Sequence, residues 1–153
     1  MRCVLGSLVL AFAPLAAVKG QVPEFAVKLI CNVPDRPALA PGRYFTAINV
    51  HNPAPQAVKL QFKIAQTLPG VTPGAVSQFF PAVLRADQAL EIDCTDVARH
   101  LDLGGKFVKG FVVIQNLSGS DLDVVGVYTV AQATDGRVVA LEIERVPVRR
   151  TYK

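Results

Sequence analysis

From residue 21 onward the chain alternates apolar and polar positions in short runs, with a turn signal about every ten residues. The run 56–66 is the clearest. Val58, Leu60, Phe62 and Ile64 fall on one face and Lys59, Gln61 and Lys63 on the other, the period of a strand with one buried and one wet side. The run 24–31 is largely apolar and ends at Cys31, whereas 43–51 sets Tyr44, Thr46, Ile48 and Val50 against Phe45, Ala47, Asn49 and His51 and is partly apolar on both faces. The run 106–115, with Phe107, Phe111, Val112, Val113 and Ile114, reads as a central strand buried on both faces. Runs 75–80 and 82–93 are extended around Pro81. Runs 122–133 and 138–146 flank Thr134-Asp135-Gly136-Arg137, whose Asp-Gly pair is expected to supply the positive φ angles of a tight hairpin. The stretch 95–101 is the one helical signal, with Thr95 or Asp96 as its N-cap and Gly104-Gly105 as its end.

Seven or eight short strands, joined by proline-rich loops at 34–42, 51–55 and 68–74, predict an all-β fold. The expected form is a single antiparallel β-sandwich of immunoglobulin-like architecture over residues 21–153, with at most one short helix. Composition agrees. Valine supplies 23 residues and Trp is absent, which favours strands, and 51% hydrophobic against 18% charged residues is enough apolar material for a core.

The first twenty residues follow a different pattern. Arg2 precedes an apolar run from Leu8 to Val18, broken by Pro14 and followed by small residues, which is the layout of a secretory signal peptide. Cleavage after Gly20, leaving Gln21 as the new N-terminus, is the preferred site, with cleavage after Ala17 second. The apolar run is shorter than the roughly 20 residues needed to span a bilayer, so a periplasmic or secreted protein without a membrane span is expected. Removal of the signal takes the charges of Arg2 and Lys19 from the formal +4 and leaves +2, too little for nucleic-acid binding. Arg145, Arg149, Arg150 and Lys153 cluster near the C-terminus with Tyr152, where a solvated tail is expected, with contact to an acidic surface or anionic lipid headgroups as the alternative.

Cys3 would leave with the signal. Cys31 and Cys94 remain, an even count in a chain bound for an oxidising compartment, each at the end of an apolar strand pattern, and a disulfide between them is expected.

Five stretches carry a resemblance: PGRYFTAINVHNP at 41–53, ALEIDC at 89–94, FVKGFVVI at 107–114, LDVVGVYT at 122–129 and ERVP at 144–147. Together they resemble a family of small exported bacterial β-sandwich proteins with no assigned activity. The resemblance implies a scaffold and a compartment, and brings no functional residues with it.

Chemistry-bearing residues are few. His51, His100 and Cys94 suggest a copper or electron-transfer sandwich, but the five residues between Cys94 and His100 are wider than the usual copper-loop spacing and no Met survives as an axial ligand. Glu91, Asp93 and Asp96 around Cys94 fit no calcium-loop spacing, and they and the pair Asp121 and Asp123 read as solvated surface. Ser77, Ser118 and Ser120 lie in no nucleophile motif, and no glycine-rich phosphate loop is present. The expectation is therefore an exported protein that is not an enzyme and takes no cofactor or metal. It would bind another protein or a cell-envelope component, with the copper sandwich as the alternative and a small secreted hydrolase behind it. Nothing in the sequence fixes the partner or the oligomeric state.

Overall fold

The computed structural model describes residues 21–34, 39–102 and 105–152. The signal segment, including Gly20, lies outside the described residues. The order of elements is β1 (Gln21–Cys31), β2 (Arg43–His51), β3 (Val58–Gln66), β4 (Phe80–Leu84), β5 (Ala89–Asp93), α1 (Cys94–Leu101), β6 (Val108–Asn116), β7 (Asp123–Ala131), β8 (Val138–Arg145) and β9 (Arg149–Tyr152). The strands form two antiparallel sheets packed as a β-sandwich, ordered β4-β3-β6-β1-β9 and β5-β2-β7-β8.

Period-two alternation decides which side chains fill the gap between the sheets. Val27 and Leu29 of β1, Leu60 and Ile64 of β3, and Val112 and Ile114 of β6 meet Ile48 and Val50 of β2 and Val124 of β7 in one core, each nearly or fully excluded from water. Pro81 sits in β4, an edge strand, where its missing N–H costs no central ladder bond.

The two sheets are tied near one end. Cys31 of the five-stranded sheet is bonded to Cys94, which follows β5 of the four-stranded sheet, with Cα atoms 5.6 Å apart. Beside the bond, the Ile30 N–H donates to Thr46 Oγ1 at 3.0 Å and the same hydroxyl donates to the Ile30 carbonyl at 3.0 Å. β1 thus satisfies part of its outer edge with a side chain of the opposite sheet.

Four expectations need correction. First, β6 is central in its sheet but buried on one face only: Val108, Val112 and Ile114 point inward, while Phe111 is 39% exposed on the other side. No further layer covers that face among the described residues. Second, the C-terminal segment is not a solvated tail over 149–152, because it pairs antiparallel with the first residues of β1, with Glu24 opposite Arg149 in the ladder. Eight strands make the body of the sandwich and β9 is a short addition. Third, the helix is capped by Asp93 and not by the expected Thr95 or Asp96, two and three residues further on. Asp93, still extended at φ −118°, accepts from the N–H groups of Thr95 at 2.7 Å and Asp96 at 2.9 Å, so that Cys94 becomes the first helical residue, and the helix ends at Asp102 (φ 51°), before the expected glycine pair. Fourth, the β7–β8 hairpin is not a two-residue turn. Gln132 N–H donates to the Arg137 carbonyl, Gly136 N–H donates back to the Gln132 carbonyl, and Gly136 alone of the Asp-Gly pair takes positive φ, at 72°.

Candidate binding surface

Directly opposed residues of an antiparallel ladder share a face of the sheet. In the five-stranded sheet the registers Lys28 with Phe111, Phe111 with Ala65, Val113 with Lys63, Ile30 with Lys109, and Lys59 with Val83 therefore set four lysines on the side turned away from the core. Arg149 stands on the same side, opposite Glu24. Glu24 is the only carboxylate on this face among the described residues, and its Oε2 accepts from Gln115 Nε2 at 3.0 Å. None of the four lysines makes an ion pair among the described residues. Most acidic residues collect on other parts of the sandwich, with Glu91 and Asp93 on β5, Asp96 on α1 and Asp123 on β7, while Glu142 and Glu144 of β8 line a cavity beside β1 together with Lys28.

Apolar groups interleave with the lysines. Lys28 Nζ lies 4.7 Å from the centre of the Phe111 ring and Lys63 Nζ lies 4.9 Å from that of Phe79, so each ammonium rests on an aromatic face. Val83, beside Lys59, is 59% exposed. Burial lowers the Lys28 pKa below the ordinary lysine value, and the like charge of Lys109 lowers it further.

A second cluster caps the opposite end of β2 from the disulfide. His51 Nε2 is 3.0 Å from Asp87 Oδ1, its Nδ1 is 3.4 Å from Asp123 Oδ2, and Arg145 Nη2 donates to Asp123 Oδ1 at 2.6 Å. The hydrogen bonds to Asp87 and then Asp123 raise the His51 pKa above 6.5. A raised histidine contributes stability in full below its unfolded pKa, and that contribution is lost as pH rises through the folded value. The protein is thus expected to lose part of its stability as pH rises past the ordinary histidine range, and His51→Gln to remove that part of the dependence, as read from urea midpoints against pH. Equal pH profiles for the parent and the variant would show that the cluster adds nothing.

An open groove of about 660 Å³ lies next to this cluster, between the Pro23 and Phe25 side of β1, Pro53, the turn 119–122 and the segment 145–148. Asp123 and Arg145 reach it, but each already holds the other, and the Ser120 hydroxyl at its wall is buried without a hydrogen-bond partner. A smaller cavity of about 310 Å³ lies between β1 and the β2-β7-β8 surface. There the Tyr128 hydroxyl donates to Glu144 Oε2 at 3.0 Å, and burial followed by that bond pushes the phenol's pKa upward.

The residues singled out from sequence divide cleanly. Cys31 and Cys94 are brought together in a disulfide, which leaves no thiolate at Cys94 for copper. The two histidines keep separate company: His51 sits between two carboxylates, whereas His100 stacks on Phe80 with ring centres 3.8 Å apart. No group of three or more His, Cys, Asp or Glu side chains is arranged to hold a metal among the described residues. Asp93 and Asp96 form a reciprocal capping box, and Asp96 also pairs with Arg99 at 3.0 Å. Ser77 Oγ accepts from the Ile64 N–H and Ser118 Oγ from the Lys59 N–H, both serving the backbone of β3. Among the described residues, 39–42 and 51–55 lie at opposite ends of β2 and do not converge. Sequence reasoning saw Lys59 and Lys63 as a wet face but missed the surface they belong to. On β6 Lys109 has the phase of Phe111 and Val113, opposite to that of the core, but only the registers with β1 and β3 bring Lys28 and Lys63 to the same face.

No family model matches the chain, and no curated protein or solved structure matches it either. No helix among the described residues is long and apolar enough to cross a membrane.

Proposed function

We propose that this is an exported, non-catalytic β-sandwich that binds an acidic component of the cell envelope through the outer face of its five-stranded sheet. The observation that carries the reading is the segregation of charge. Among the described residues Lys28, Lys59, Lys63 and Lys109 share one face with a single carboxylate, Glu24, although the net charge of the whole chain is small. Four unpaired ammoniums on one surface repel one another, and an anionic partner removes that repulsion. The bareness of β6 points the same way, because a strand with an apolar side chain at Phe111 and Val113 as well as at its core positions is built for cover on both sides. Cleavage after Gly20 and residence in the periplasm or outside the cell belong to this reading and are supported by the signal-like N-terminal pattern and by the disulfide.

The reading is tested by sedimenting the protein with envelope fragments of the exporting host across a salt series. Co-sedimentation that weakens as salt rises, and that is lost in Lys63→Glu/Lys109→Glu, is the expected result. Both positions are on the outer face, so the double variant is expected to keep the parent's thermal midpoint. Retention of the double variant on the fragments would remove this face from the function.

A further inference from the structure

Resting on that reading, we infer that the acidic component is the surface of a bilayer carrying anionic lipid, met flat by the outer face of the five-stranded sheet. The lysine ammoniums of Lys28, Lys63 and Lys109 lie at the level of the lipid phosphates, and Phe111, Phe79 and Val83 press into the boundary between headgroups and acyl chains.

Two features of the face select lipid over a folded acidic protein or a soluble polyanion. The first is where the charges stand. Protein interfaces concentrate apolar groups at the centre and leave charge to the rim. Here Lys28 and Lys63 stand over aromatic rings, at 4.7 Å from Phe111 and 4.9 Å from Phe79, so cation and ring are interleaved and not segregated into an apolar centre and a charged rim. That mixture matches an interfacial layer, where a lysine stem covers apolar surface while its head reaches phosphate. The second is the exposed apolar area itself. Phe79 is 36%, Phe111 39% and Val83 59% exposed, and a soluble polyanion would neutralise the lysines while leaving these side chains in water. At Lys28, beside Lys109, a bound phosphate would offset the burial and like-charge repulsion that lower its pKa.

The experiment uses the mature protein recovered from an exporting host and vesicles of phosphatidylcholine with and without phosphatidylglycerol, read by co-sedimentation at low and high salt. Binding is expected only with phosphatidylglycerol, falling with salt and falling about fivefold for each of Lys28→Gln, Lys63→Gln and Lys109→Gln. Phe111→Ser is expected to weaken binding about tenfold while leaving its salt dependence unchanged. Far-ultraviolet circular dichroism and the thermal midpoint confirm that each variant is folded. If Phe111→Ser binds as the parent does, charge alone suffices and the inference falls. If the protein sediments with envelope fragments but not with phosphatidylglycerol vesicles, the lipid assignment falls while the binding reading survives. If it sediments with neither, both fall.

Discussion

Replacing Cys31 and Cys94 together by alanine is expected to lower the unfolding free energy by about 4 kcal/mol, the chain-entropy value for a closed loop of this length. The bond spans 63 residues and joins the two sheets at the end where β1 leaves the five-stranded sheet for β2, so it restricts the unfolded chain across the four strands β2 to β5, which belong to both sheets. Other ties act at the same place. The Thr46 hydroxyl satisfies both backbone groups of Ile30, and Asn32 and Tyr44 exchange backbone hydrogen bonds at 2.8 Å and 3.1 Å, so the native geometry should survive removal of the sulfurs. The expected signature is a lower urea midpoint with little change in native circular dichroism, reproduced by chemical reduction of the parent. A loss below about 1 kcal/mol would mean that the unfolded chain retains contacts there and that the bond restricts little. The variant also bears on binding. Lys28 and Ile30 belong to the last turn of β1 alternation before Cys31, so a loosened β1 should weaken the sheet face together with stability.

The parts of this molecule that were legible in the sequence are those set by local periodicity. β3 and its two faces, the disulfide partners and the hairpin between β7 and β8 could be read because each depends on residues close in the chain or on an even cysteine count. The lysine-bearing face could not be read, because it is assembled from strands that are distant in sequence. Lys28 meets Phe111 only when β1 pairs with β6, and Lys63 joins Val113 only when β3 takes the other side of β6. Apolar content also misled in one direction. Continuous apolarity along 106–115 normally signals cover on both faces, and the structure supplies a covering layer on one. β8 shows the same ambiguity with the faces inverted. Its Glu142 and Glu144 share the inner side with Tyr128 and Gly126, while Leu141 and Ile143 are 61% and 66% exposed on the outer side. Carboxylates on the inner side of an edge strand oppose the addition of another strand at this edge. The conformational corrections share a cause as well. Asp93 and Asp102 take cap positions because their backbones already have the required dihedrals where the strand ends and the chain turns back, which composition alone does not reveal.

Asn52→Asp is expected to destabilise the fold by about 3 kcal/mol at neutral pH, although the exchange alters the side chain only at its amide nitrogen. Asn52 is completely buried just past β2, and its Nδ2 donates to the carbonyls of Gln56 at 2.9 Å, Leu84 at 3.2 Å and Arg85 at 2.9 Å. Its Oδ1 accepts from the Ala54 N–H at 3.0 Å, and its backbone bonds to Gln88 and Asp87. One side chain therefore serves the β2–β3 loop and the β4–β5 turn, segments that contribute little apolar burial of their own. A carboxylate in the same place faces three carbonyl oxygens with no proton to offer and carries a buried charge, whereas Asn52→Ala removes the donors without adding charge. The aspartate variant should accordingly recover toward the alanine variant at acid pH, where its carboxyl is protonated. Urea unfolding of both variants across pH checks this, and an aspartate variant as stable as the parent at neutral pH would show that the three carbonyls are satisfied by other means. Because Asp87 lies in the turn that Asn52 holds, the same substitution should also release the His51 cluster and flatten its pH dependence, linking the buried amide to the exposed ion pairs at that end of the sandwich.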